Sequence, residues 1–213
     1  MRTTQLLAAL ALAAASASAI ARVDCHLGIV GGGGFGTSQH KDIQQNFDLT
    51  GSFNLSGGLG GGTAGCVWPL GGGWLGFEGD YVVGKVHGAV GELPPNNGFT
   101  AETKVEQIAT LRAVLGGDLG HDWAVYGTFG VAAAPTKATA CTPLGNCASD
   151  KQTMLGFAAG LSARYAFTQA LRMRLEYLYT GFGTKQFAPG GVFLIRDVDL
   201  GVSQARIGLE LHF

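Results

Sequence analysis

Charge is scarce in this chain. Asp, Glu, Lys and Arg make up 14% of the residues, the formal net charge is −1, and no basic run stands out. That composition leaves no electrostatic basis for binding nucleic acid. Long apolar runs are missing as well. After Arg22 nothing approaches the ~20 consecutive apolar residues that a spanning helix needs, so any membrane crossing must use strands. No pair of the four cysteines has zinc-site spacing, and His26, His87 and His121 stand alone in the sequence. The glycines lack the three-residue period of collagen, while 46% hydrophobic content argues against disorder. A length of 213 residues suits one domain, or two at most.

What is abundant is glycine, with 36 residues. High glycine with low charge suits a small closed barrel, where strands bend sharply and interior space is short. The N-terminus reads as a processing segment: Arg2 supplies positive charge, residues 6–15 are apolar, and small residues follow. Cleavage after Ala19 or after Ala21 fits, which predicts a signal peptide over 1–21 and a mature domain over 22–213.

The clearest strand is the last. Phe213, Leu211, Leu209, Ile207 and Ala205 form one apolar face, and His212, Glu210, Gly208, Arg206 and Gln204 form the other. Such a period-2 split serves two environments, one oily and one wet. Leu171 to Thr180, Leu155 to Tyr165, Leu75 to Val83 and Trp123 to Val131 repeat it. Residues 102–115 have helical propensity, yet Val105, Ala109, Leu111, Ala113 and Leu115 alternate with Glu106, Thr110 and Arg112 opposite, which predicts a strand. Two glycine-rich early segments, 26–36 and 56–68, have no decided facing.

Long connections are expected at about 37–52, 87–101, 135–152 and 183–199, alternating with short ones at 69–73, 116–121 and 167–170. This pattern predicts an all-β fold, an antiparallel up-and-down transmembrane barrel of about eight strands with long loops outside and short periplasmic turns. The inward faces gather Arg112, Arg164, Arg172, Arg174 and Arg206 against Glu78, Asp80, Glu106, Glu176 and Glu210. Near-equal numbers of each sign predict a paired ion network that fills a polar lumen, since unpaired charge in confinement is expensive. An interior of that size holds side chains or one small ligand, not an open channel. Trp74, Tyr81, Trp123, Tyr165, Phe167, Tyr177 and Tyr179 lie towards strand ends and are expected to form interfacial girdles.

In an exported chain the cysteines favour disulfides. Cys141 and Cys147 bracket a short loop and are expected to pair. Cys25 and Cys66 lie at the distal ends of two segments read as neighbouring strands, and can bridge at the periplasmic end.

Two catalytic patterns fail on inspection. Gly31, Gly33 and Gly36 satisfy a dinucleotide-binding spacing, but no helix opens there and no parallel βαβ alternation follows. Ser38, His40 and Asp42 fall together in what reads as a long mobile loop, a poor support for a triad. Neither enzyme chemistry nor a cofactor nor a metal is expected.

Residues 62–84 (GTAGCVWPLGGGWLGFEGDYVVG), 111–134, 161–183 and the closing ARIGLELHF resemble the opacity-type outer-membrane proteins, the small porin-family barrels of Gram-negative bacteria. The resemblance covers essentially the whole mature chain, with departures at Cys66, where an aromatic is usual, and at the Cys141–Cys147 loop. It implies an outer-membrane location, a terminal Phe213 read by the barrel-insertion machinery, and a structural or surface-contact role. The partners implied are outer-membrane lipid and a host or surface ligand engaged through the loops. The rival readings are a narrow channel for small solutes and a lipid-modifying barrel enzyme.

Overall fold

A computed structural model of the protein describes residues 23–44, 47–191 and 193–213; the expected signal segment 1–21 lies outside them. The described chain forms β1 (Asp24–Asp42), β2 (Phe53–Leu70), β3 (Gly73–Gly91), β4 (Thr100–Gly120), β5 (Trp123–Cys141), β6 (Cys147–Ala166), β7 (Leu171–Phe187) and β8 (Arg196–His212). Each strand pairs antiparallel with its sequence neighbour, and β1 pairs with β8 to close the barrel. Closure leaves no free edge strand among the described residues, which is the condition for strands to cross a bilayer.

The outer face is apolar along the strands at mid-height. Ile29, Leu111, Phe129, Leu161, Ile207 and Leu209 are all more than 45% exposed. Exposed apolar surface on this scale belongs against lipid. On β5 the outward series runs from Trp123 through Val125, Phe129 and Val131 before reaching Pro135 and Lys137. That apolar stretch matches the roughly 9–11 residues a tilted strand needs to cross the hydrocarbon.

The strands themselves are 17 to 21 residues long, so they continue beyond the membrane. The connections between them shrink to 43–52, 92–99, 142–146 and 188–195, much shorter than the alternation of composition suggested. The reason is that solvated strand extensions read as polar loop in the sequence, although they keep strand backbone. The opposite turns are shorter still, at 71–72, 121–122 and 167–170. His121 and Asp122 have φ of 52° and 66°. Two central residues in the left-handed region give the hairpin whose twist matches its strands.

Glycine makes the close strand approach possible on the inside. A Cβ on Gly130 would lie 2.6 Å from the Arg112 Cα, and one on Gly32 would lie 2.9 Å from the Arg206 Cα. Both glycines sit directly across from those arginines in the register, so the missing side chains leave room for guanidinium groups.

The two disulfides join registered neighbours. Cys25 and Cys66 are cross-strand partners on β1 and β2 with Cα atoms 4.0 Å apart. Cys141 and Cys147 are partners on β5 and β6 at 4.1 Å and close the shortest outer loop.

The facing of β4 departs from simple alternation. Val105 and Ile108 both face inward and are fully buried, so Glu106 and Gln107 between them fall on the outside. Between Val105 and Ala109 the register with β5 shifts by one residue, a β-bulge that reverses the phase of the strand beyond it. Glu106 is therefore not part of the lumen, contrary to the alternation read from the sequence, and Val105 is not lipid-facing. Glu106 lies above the Tyr81 level, where a 2.6 Å contact with Lys104 holds its carboxyl below the usual range.

Candidate functional site

The lumen has two layers, each built from the inward residues of the strands. In the loop half it is largely apolar: Phe53, Leu55, Val86, Val105, Ile108, Met154, Phe182, Phe187 and Leu200 belong to one buried cluster, beside the buried polar side chains of Ser38, His40 and Thr103. The interior is thus not polar throughout, as the sequence had suggested. A narrow lumen offers little water to solvate polar groups, so apolar filling is cheaper than a second ionic layer.

Below it lies the ion network. Arg112 extends from β4 and donates to Glu78 Oε1, Asp80 Oδ2 and Glu176 Oε1, each at 2.6 Å. Glu78 is its cross-strand partner on β3, so one of these contacts is set by register alone. Arg206 and Glu176 are likewise partners on β8 and β7; Arg206 Nε donates to Glu176 Oε2 at 2.9 Å and Nη1 to Asp80 Oδ1 at 3.1 Å. Arg174 Nη1 donates to Glu78 Oε2 at 2.6 Å.

Arg164 and Arg174 stand directly opposite each other on β6 and β7, a repulsive pairing taken alone. Glu210 on β8 resolves it, lying 2.7 Å from Arg164 Nε and 3.2 Å from Arg174 Nη1. The Arg164 guanidinium also rests over the Tyr126 ring, 4.7 Å from its centroid. Four guanidiniums and four carboxylates thus meet in one buried group with no net charge. Paired in this way, the charges avoid the penalty of an isolated buried ion.

Arg172, expected in the same network, lies at the short-turn rim instead, partly exposed and 3.1 Å from Asp24. Trp74, expected in the lipid girdle, turns inward and packs on Tyr126 with ring centroids 5.3 Å apart. Its place is set by parity with Gly76 and Glu78 on β3. Trp74 and Arg172 line a mouth cavity of about 430 Å³ together with Asp24, Asp118, Asp122 and Arg164. Phe213 points outward and is 64% exposed, while its backbone pairs with Cys25 on β1.

Ser38, His40 and Asp42 lie in β1, not in a loop, and all three face inward and are buried. Ser38 Oγ is 3.0 Å and His40 Nε2 2.8 Å from the same Thr103 hydroxyl, and no Ser38–His40 bond forms. Asp42 Oδ1 accepts from the Gln44 backbone. The arrangement locks β1 to β4 and lacks the nucleophile–base bond of a triad.

The residue missed by sequence reasoning is Arg196, buried at the top of the lumen and bonded to Glu92 at 2.8 Å. Phe47, Pro95, Phe99 and Phe193 join this pair around a 270 Å³ recess among the outer connections. Arg196 falls within the expected 183–199 loop, and only its pairing with Asp42 and Phe187 makes it strand.

A closed barrel with a lipid-facing exterior and a plugged, charge-balanced interior defines an integral membrane protein of the small eight-stranded class. Comparison with known proteins gives the family: the model of the outer membrane protein beta-barrel domain matches residues 6–213, and the chain belongs to that family. It is 32% identical over 201 residues to the 31 kDa outer-membrane immunogenic protein of Brucella melitensis, covering 88% of this chain and 82% of the relative. The namesake protein of Brucella suis matches with the same values. Among solved structures, OprG of Pseudomonas aeruginosa aligns with a TM-score of 0.52 at 15% identity, covering 87% of this chain and 95% of OprG. The outer membrane protease OmpT of Escherichia coli aligns with a TM-score of 0.50 at 10% identity, covering 92% and 98% of the two chains. At these identities the likeness is one of fold. The protein is an outer-membrane barrel of a Gram-negative bacterium.

Proposed function

We propose that this barrel is a non-enzymatic surface protein that displays a charged collar and four short connections to ligands outside the cell. The observation that carries this reading is the segregation of its cations. All six lysines, Lys41, Lys85, Lys104, Lys137, Lys151 and Lys185, lie towards the loop ends of strands, and none enters the buried network. The network uses arginine throughout, as suits buried bidentate pairing, while lysine suits a solvated surface. Lys104, Lys137 and Lys151 are successive register partners across β4, β5 and β6, so the collar presents adjacent positive charge.

The Brucella relative is described as immunogenic, which agrees with a surface-accessible face. Against catalysis stands the Ser38–His40–Asp42 geometry above. Against conduction stands the sealed two-layer lumen, and recordings in planar bilayers should show no discrete steps. Terminal Phe213, exposed on the lipid side, is suitably placed for recognition by the insertion machinery.

Intact cells treated with a membrane-impermeant amine reagent test the orientation and the collar together. Lys41, Lys137 and Lys151 should be modified before the envelope is opened. Labelling only after permeabilisation would place these strand ends in the periplasm and end the surface reading.

A further inference from the structure

Closure of the barrel brings the start of β1 and the end of β8 together at the short-turn side. There His26 on β1 and His212 on β8 are direct register partners, both facing inward and both buried. Their rings stack with centroids 5.2 Å apart. Glu210, one inward position along β8, places Oε2 3.2 Å from His212 Nε2 and Oε1 3.9 Å from His26 Nε2. One donor atom from each of the three residues lies within 4.8 Å of the others.

Their hydrogen bonding is incomplete in a particular way. His212 Nδ1 lies 2.8 Å from Asp24 Oδ1. A carboxylate accepts only, so the Nδ1 proton points at Asp24 and the neutral ring's lone pair at Nε2 faces the Glu210 carboxylate. Two lone pairs then oppose each other unless a proton or a cation lies between them. Neither ring nitrogen of His26 makes a hydrogen bond, although Nε2 is only 3.3 Å from Glu78 Oε2. Glu210 Oε1 has the Arg174 ion pair at 3.2 Å but no hydrogen bond of good geometry. Buried groups left this way call for a further partner.

We propose that His26, His212 and Glu210 form a site for one divalent transition-metal ion, of which zinc is the type. Two imidazoles and one carboxylate form a common zinc ligand set that leaves a fourth position open. Asp24 supplies the outer carboxylate that orients a ligating histidine. Arg164 and Arg174 touch Glu210 and oppose a second cation. Each, however, contacts a different oxygen, and a carboxylate offers about four lone-pair sites. Glu78 and Glu210 are already balanced by the arginines, so Asp24, 2.8 Å from His212 Nδ1, is the further carboxylate that offsets part of that repulsion. The mouth cavity adjoins the cluster through Asp24 and Arg164, and in it Asp24, Asp118 and Asp122 outnumber Arg164 and Arg172.

The test uses untagged protein extracted from outer membranes in detergent, stripped with a chelator and titrated with zinc, then with cobalt. One equivalent should bind, and cobalt should develop visible ligand-field absorption. His26→Ala and His212→Ala should abolish binding, and Asp24→Asn should weaken it about 10- to 100-fold. His87→Ala and His121→Ala, at exposed positions, should leave it unchanged. X-ray absorption of the zinc-loaded wild type should show imidazole scattering, which keeps the site testable if a lumen variant fails to fold. No saturable binding, retained affinity in both lumen histidine variants, or a spectrum without imidazole would overturn the assignment. The first of those outcomes would mean that protons alone hold the cluster together.

Discussion

Replacing Arg112 with methionine should lower the unfolding free energy of the barrel by about 3–5 kcal/mol, the range found when one partner of a buried ion pair is removed. Arg112 is fully buried and donates to three carboxylates at once. After its loss Glu78 keeps Arg174, and Asp80 and Glu176 share Arg206, so four carboxylates face three guanidiniums. The excess negative charge has no water to solvate it. Urea unfolding in detergent, read from the different gel migration of folded and boiled chains, measures the loss. Adding Asp80→Asn should restore neutrality and recover more than about 1 kcal/mol, because residues in one network couple by roughly 0.5–3 kcal/mol. Arg172→Ala at the partly exposed rim should fall within about 1 kcal/mol of wild type. Equal effects at Arg112 and Arg172 would show that the buried group is not cooperative.

The second large effect is expected on the opposite face. Leu161 is 66% exposed, midway between Tyr165 and Phe157 on the outer side of β6. Leu161→Arg should destabilise the protein in bilayers by about 2–4 kcal/mol, the range for arginine at the midplane of such barrels. Leu144 is even more exposed, at 90%, but lies in the 142–146 connection. Leu144→Arg should change stability by less than about 0.5 kcal/mol, as ordinary surface substitutions do. The contrast separates lipid from water as the solvent of each leucine. Unfolding in lipid vesicles gives both values, and similar losses at the two sites would mean that Leu161 does not face hydrocarbon.

Much of the architecture was legible because alternation is a local property. The alternate apolar residues from Leu155 to Tyr165 on β6 and from Ala205 to Phe213 at the end of the chain point outward, as their spacing required. Glu78, Asp80, Arg112, Arg164, Arg174, Glu176, Arg206 and Glu210 come together inside. Alternation fails wherever phase depends on a partner strand. Glu106 lies outside because a bulge against β5 inserts one residue, and nothing in residues 102–115 marks the insertion. Nearness to a strand end points to a girdle position for Trp74 but says nothing of its face. Arg196 and the Ser38–His40–Asp42 series looked like loop because polar composition does not distinguish solvated strand from coil.

The order of residues was enough to establish that the chain crosses a membrane as strands, roughly how many there are, and which side chains seek oil. Each of these depends on neighbours two residues away. What meets in the lumen had to await the folded barrel: the largely apolar upper layer, the charge-neutral group below it, and the contact of His26 on the first strand with His212 on the last. Those meetings follow from closure and register, which are set by backbone pairing over the whole barrel and leave no trace in local spacing.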